Sequence, residues 1–272
     1  MSAVPDATES GGQPDRAAAA RALYAISRGE LVEGRAPAEL LAYEGQPVES
    51  GLPLQLAVLD LWRAAGEEQG GWKVAWTSRG ARDRGGKDFR PFGFILAGRI
   101  HASGERLDAS AIPNGAVEAE ICLTIGEHIG GAGVTPEQAR AAVRAVAPSF
   151  EIISRRLPEG VSMPVRIGNG MNNWGLVVGE ERSPDSLDLD ALSVELRKDG
   201  ELLGTGTAGP DVLDDPYVSL ARVCAVLHRQ GLALEPGQRI ITGSLLPGEK
   251  IGQAKSFEAR FGGLGSVVVD FG

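Results

Sequence analysis

The chain has 272 residues, 43% of them hydrophobic and 23% charged, with a formal net charge of −9. That is ample for a core, and the acidic balance argues against nucleic acid or an anionic membrane as partner, since both need a basic patch. No apolar run approaches the length of about 18 residues that a membrane span requires, and the N-terminus lacks a secretory pattern, so a cytoplasmic location is expected.

Residues 1–15 are small and polar and read as a disordered tail. A helix is predicted over 17–28, Ala-rich with Leu23 and Ile26. A second is predicted over 54–69, where Leu54, Leu56, Val58, Leu59 and Leu61 make a broad apolar face. Trp72 to Thr77 alternates like a strand. Ser78 to Arg90 is long, charged and Gly-rich, and is read as a loop covering a site. Strands follow at 92–100 and 117–125, then a helix over 135–146 with Thr135 as its cap and Pro136 at its first position. Further strands are predicted near 149–154, 174–179, 192–197, 201–206, 238–243, 256–261 and 265–271. One more helix, Tyr217 to Gln230, stops at Gly231. The class is α+β: a helical N-terminal region (16–70) followed by a β-rich catalytic domain (71–272). Glycine, at 38 residues, points to tight turns and close backbone approaches.

Three carboxylates stand out. In Val117-Glu-Ala-Glu-Ile-Cys-Leu-Thr-Ile125, Glu118 and Glu120 share one strand face. Glu151 lies in an otherwise apolar or small run, Ser149-Phe-Glu-Ile-Ile153. A Glu-x-Glu strand can simply be a solvated face, and a lone buried Glu can be salt-bridged. If the three converge, a divalent cation is the simplest partner, and oxygen ligands favour Mg²⁺, Mn²⁺ or Ca²⁺ over Zn²⁺. Cys122 and Cys224 sit in apolar segments and read as core residues. His101, His128 and His228 are scattered, no nucleophile elbow is present, and Gly262-Gly-Leu-Gly265 reads as a turn.

Seven segments, in order, carry a family resemblance: Gly71-Trp-Lys-Val-Ala-Trp-Thr-Ser78, Pro91-Phe-Gly-Phe94, Val117-Glu-Ala-Glu-Ile121, Pro148-Ser-Phe-Glu-Ile152, Gly200-Glu-Leu-Leu-Gly-Thr-Gly206, Ile241-Thr-Gly-Ser-Leu245 and Phe261-Gly-Gly-Leu-Gly-Ser266. The chain resembles the fumarylacetoacetate hydrolase superfamily, in its 2-oxo-4-pentenoate hydratase and 4-oxalocrotonate decarboxylase branch. The resemblance implies a mixed β-roll, a helical N-terminal region, and homo-oligomeric assembly with possible association with a pathway enzyme. It implies Glu118, Glu120 and Glu151 as ligands of Mg²⁺ or Mn²⁺, and Lys73 as the strand lysine beside the metal. The activity implied is lyase chemistry on a 2-oxo (2-hydroxydienoate) acid, hydration or decarboxylation, through an enolate that the metal stabilises.

Departures accompany the match. Pro91 stands where hydratases of the branch carry an acid–base Asp. The substrate-carboxylate residues fall on Asn169, Asn172 and Asn173, amides that can still bond oxygens. Ser244 is expected to wall the substrate pocket. Ser154 replaces a family Asp and precedes Arg155 and Arg156, a candidate clamp for a second carboxylate. Two other readings stay open: a C–C hydrolase of acylpyruvates, for which no His-Glu pair is found, and a non-catalytic paralogue that stabilises a partner enzyme.

Overall fold

The computed structural model describes residues 13–30, 35–86 and 89–272. Its elements run α1 (Arg16–Ser27), α2 (Ala38–Leu41), α3 (Gly51–Ala64), β1 (Gln69–Val74), α4 (Arg79–Gly85), β2 (Phe92–Leu96), β3 (Ile100–Ala102), β4 (Arg106–Leu107) and β5 (Gly115–Ile125). After these come α5 (Pro136–Ala142), β6 (Val143–Ser154), α6 (Met163–Gly168), β7 (Asn173–Val178), β8 (Ser193–Lys198), β9 (Glu201–Thr207) and α7 (Pro216–His228). The chain closes with β10 (Arg239–Ser244), β11 (Glu249–Lys250), β12 (Ser256–Phe261) and β13 (Gly265–Phe271).

The strands form two mixed sheets, as expected of an α+β β-roll. The larger runs β2-β1-β10-β5-β6-β7-β3, with β11 added beside β5; the smaller runs β4-β13-β12-β8-β9. Pairs β1/β10, β3/β7 and β4/β13 are parallel. The centre is the long antiparallel pair β5/β6, in which Glu118 faces Glu151 and Glu120 faces Ser149. Strand β6 is buried at all but one position, because its two faces meet other elements of the fold.

Helices α1, α3 and α6 make a layer of their own. Gly51 and Gly168 let α3, α6 and α1 approach closely: a Cβ at Gly51 would lie 2.5 Å from the Pro164 carbonyl oxygen, and one at Gly168 would meet Leu54 and Leu23 side chains at 2.7–2.9 Å. Buried Gln55 ties this layer to the sheet by donating to the Phe92 carbonyl (2.7 Å) and to that of Ile167. One hydrophobic cluster runs from Leu23 and Leu40 through Phe150 to Phe271. A second, small one (Ile95, Cys122, Ala147, Leu176, Ile241) is separate from it. It shares strand faces with the carboxylates: Cys122 is two residues from Glu120, and Leu176 pairs with Glu151. It forms an apolar plug beside the site.

Several expectations are corrected. The helix predicted to 146 ends at Ala142, and Val143 already pairs with Ile125. The Ala-rich 143–147 segment has helix propensity, but pairing along β5 and burial outweigh that local preference. The capping box of Thr135 and Gln138 is present. The segment 78–90 contains α4 and is not a bare loop. The strand predicted over 92–100 stops at Leu96, and Ile100 begins a strand paired with β7. Most of the tail expected to be disordered, residues 1–12, lies outside the described residues; Asp15 accepts from the Ala17 and Ala18 amides and caps α1. Cys122 and Cys224 are buried free thiols. Among the described residues, no helix is long and apolar enough to cross a membrane.

Candidate metal centre

Period-two alternation puts Glu118 and Glu120 on the same face of β5, and register places Glu151 of β6 opposite Glu118. One oxygen of each of the three carboxylates lies within 4.8 Å of the others. Glu151 is fully buried and Glu120 nearly so, while Glu118 is half-buried. This closeness is unfavourable for three anions. Burial and the neighbouring Glu151 push the Glu118 carboxyl up to about 7, although Lys73 and Arg155 pull it back. Burial, Glu151 and Glu118 push Glu120 well above the ordinary carboxylate range.

A single ammonium partly balances the cluster. Lys73 Nζ is 2.7 Å from Glu151 Oε1 and donates to the Met171 carbonyl at 3.4 Å. Burial alone would push this amine down. Glu151, Glu118 and Glu120 outweigh burial and hold it above the ordinary lysine value. Its stem is accommodated by Gly93, where a Cβ would come within 2.8 Å of Lys73 Cγ and 2.5 Å of the Gly170 carbonyl oxygen.

Backbone and amide donors orient the carboxylates. The Gly243 N–H donates to Glu120 Oε2 at 2.7 Å. Gly243 has φ +103, and a Cβ there would stand 2.0 Å from Thr77 Oγ1, so only glycine presents this amide without strain. Asn173 Nδ2 donates to Glu151 Oε1 at 2.9 Å. Glu151 Oε2 is buried and has no partner. Three converging carboxylates, one of them with an orphaned buried oxygen, face a single nearby ammonium among the described residues, and a hard divalent cation meets that deficit of positive charge. The donor set fits Mg²⁺ or Mn²⁺.

The three asparagines are dispersed. Asn173 reaches the carboxylates. Met171 and Asn172 both take left-handed backbone conformations (φ 55 and 67). Asn172 is turned to a cavity of about 860 Å³ also lined by Arg155, Arg166 and Lys250. Asn169 is buried on the other side, where its Oδ1 accepts from Ser27 Oγ at 3.4 Å. Ser244 pairs in register with Glu120, and its hydroxyl donates to the Leu246 carbonyl at 2.5 Å. Pro91 is buried before β2, and its carbonyl accepts from the Ala75 amide at 2.9 Å.

One feature was not anticipated from sequence. Asp214 gathers Arg90 (2.7 Å), Arg222 (2.7 Å) and Arg82 (3.2 Å), so that α4 and the start of β2 are fastened to α7. The next residue, Asp215, caps α7, accepting from the Tyr217 and Val218 amides. Nothing local marks the preceding Asp214.

No protein-family model matches the chain. The chain is 29% identical over 237 residues to a 4-oxalocrotonate decarboxylase of Pseudomonas sp, covering 87% of this chain and 91% of that protein. It is 28% identical over 228 residues to the 2-hydroxyhexa-2,4-dienoate hydratase of Comamonas testosteroni, covering 82% and 86%. Its fold matches the solved 4-oxalocrotonate decarboxylase from Pseudomonas putida G7, complexed with magnesium and adipate, at a TM-score of 0.85 and 23% identity, over 96% of this chain and 98% of the other.

Proposed function

We propose that this chain, a homologue of the hydratase and decarboxylase branch of the fumarylacetoacetate hydrolase superfamily, is a divalent-metal-dependent lyase of 2-oxo (2-hydroxydienoate) carboxylic acids. The observation that carries this reading is the buried convergence of Glu118, Glu120 and Glu151 around a single ammonium. These three carboxylates would hold Mg²⁺ or Mn²⁺. Once bound, such a cation supplies the positive charge toward which the electrons of a 2-oxo acid are drawn.

The remaining work falls to the protein's own groups. Lys73, kept protonated by its carboxylate neighbours, is placed to pair with a substrate carboxylate or to hand over a proton. Asn173 fixes the orientation of Glu151, and the Gly243 amide fixes that of Glu120. Asn172 and the arginine-bearing cavity wall beside it are the proposed surface for the rest of the substrate, with Ser244 and Asn169 as flanking supports. The apolar plug on the same strand faces keeps water from the inner side of the site.

Decarboxylation needs an electron sink and a pocket that desolvates the departing carboxylate; hydration also needs a base for water and an acid for carbon. Pro91 supplies neither, so the site serves decarboxylation or a related enolate step at least as well as hydration. Homo-oligomeric assembly forms part of the same reading. Strand β9 is an edge of the smaller sheet and exposes Leu202 (52%) and Leu203 (45%), an apolar edge of the kind that pairing covers. The test is loss of ultraviolet absorbance of 4-oxalocrotonate and of 2-hydroxypenta-2,4-dienoate, with and without Mg²⁺. Cation-dependent turnover of either supports the proposal, and a protein that binds the cation yet turns over neither refutes it.

A further inference from the structure

A left-handed turn stands beside the carboxylate cluster. Gly170, Met171 and Asn172 all have positive φ, at 65, 55 and 67. Left-handed backbone is costly for Met and Asn, and it persists where the surrounding structure fixes it. This turn delivers two contacts to the site. The Met171 carbonyl accepts from Lys73 Nζ at 3.4 Å. Asn173, directly after the turn, donates its side-chain amide to Glu151 Oε1 at 2.9 Å. Lys73 Nζ lies 2.7 Å from that same oxygen. Glu151 Oε1 is thus taken twice by the protein, and Oε2 is the buried oxygen left without a partner.

Arg156 fastens the end of the turn. Its Nη2 donates to the Asn173 carbonyl at 2.9 Å, and Arg99 donates to the next carbonyl, that of Trp174, at 3.4 Å. The Arg156 bond falls where the ladder is irregular: the β6/β7 register shifts between Ile152 and Ile153, and Ile153 pairs with Asn173. The two consecutive arginines part company here. Arg155 lines the cavity assigned above to the substrate, and Arg156 is not among that cavity's lining residues. Arg156 Nε and Nη1 are enclosed and unpartnered. The niche lined by Arg156 and Asn169 has a volume of about 10 Å³, room for about one water and not for a substrate carboxylate. Burial and the nearby Arg99 push the Arg156 guanidinium down to about 10, and no carboxylate offsets them. Burying a cation without a counter-charge opposes folding, so stability does not account for its place.

We propose that Arg156 is a positioning residue for the metal centre, a role that rests on the cation reading above. By holding the Asn173 carbonyl it keeps the Asn173 amide on Glu151 Oε1, which reserves Oε2 for the cation. It also steadies the turn that sets the Met171 carbonyl against Lys73. Arg156 acts on the ligand through Asn173 and does not touch the substrate.

The test is calorimetric titration of the full chain with Mn²⁺, without substrate, for Arg156→Met, Asn173→Ala and the double variant, each well below its melting temperature. Asn173→Ala should lose about tenfold in affinity, the usual size for a group that orients a ligand. Arg156→Met should lose affinity in the same direction. The double variant should bind within about twofold of Asn173→Ala alone, because the two residues act in one chain of contacts. Arg156→Lys, which can still donate to the carbonyl, should restore most of the affinity. Should Arg156→Met fail to fold, Arg156→Gln takes its place in the cycle. Unchanged affinity in the Arg156 variant, losses that add in the double variant, or a loss in Arg156→Lys as deep as in Arg156→Met would each overturn the proposal. Normal Mn²⁺ affinity with a raised KM for a dicarboxylate substrate would instead mark Arg156 as a substrate clamp. A parent protein that binds no Mn²⁺ refutes the cation reading itself, and the positioning role with it.

Discussion

Lys73 and Glu151 meet at 2.7 Å although two strands, β10 and β5, lie between theirs in the sheet. Both side chains lie inside the fold, and the ammonium reaches a fully buried carboxylate. Removing one member of a buried pair leaves the other uncompensated, at a cost of about 3–5 kcal/mol. Lys73→Ala is therefore expected to lower the stability of the metal-free protein, to abolish most turnover, and to leave cation affinity undiminished, since a competing positive charge is gone. Calorimetric cation titration beside the absorbance assay checks this, and a parallel loss of cation binding would contradict it.

Glu120→Gln removes one anionic ligand while keeping size. Cation affinity should fall by about tenfold or more, measured by calorimetry with Mn²⁺. Unchanged affinity would remove Glu120 from the ligand set.

The raised carboxylates make the metal-free protein sensitive to pH. Glu118 titrates near 7 when folded against an ordinary value near 4.5, so the folded state holds its proton more tightly than the unfolded one. Its contribution is complete below the unfolded value and is lost as pH rises through about 7. Thermal stability in EDTA should fall across that window, and saturating Mg²⁺ should flatten the fall. A profile that rises with pH in EDTA would disprove the assignment.

Gly243→Ala tests the backbone donor. At φ +103, with Thr77 Oγ1 where the new methyl would go, the substitution should destabilise the fold by about 2 kcal/mol or more and weaken cation binding by disturbing Glu120. A melt indistinguishable from the parent protein would show that the segment adapts.

Asp214→Asn removes the charge that three arginines share. The α4 segment should become more susceptible to proteolysis after Arg79 or Arg82, and saturating Mg²⁺ with oxalate should slow the cleavage if the segment closes over the site. Cleavage rates equal to those of the parent protein would show that other contacts hold α4.

Much of the local pattern is legible along the chain. Alternation places Glu118 and Glu120 together, Thr135 sits at a helix start, and the ordered motifs point to the β-roll. These properties follow from side-chain period and backbone capping, which involve neighbours a few residues apart. What only the tertiary structure decides is non-local. Register sets Glu118 against Glu151, and the folded sheet brings Lys73 to Glu151 with two strands between theirs. Pairing with β5 converts an Ala-rich stretch after Ala142 into strand. The left-handed turn at Met171 and Asn172 separates three asparagines that are close in sequence, so that Asn173 meets Glu151 while Asn169 accepts from Ser27. No spacing rule carries that outcome, because burial and hydrogen-bond satisfaction over the whole sheet determine it.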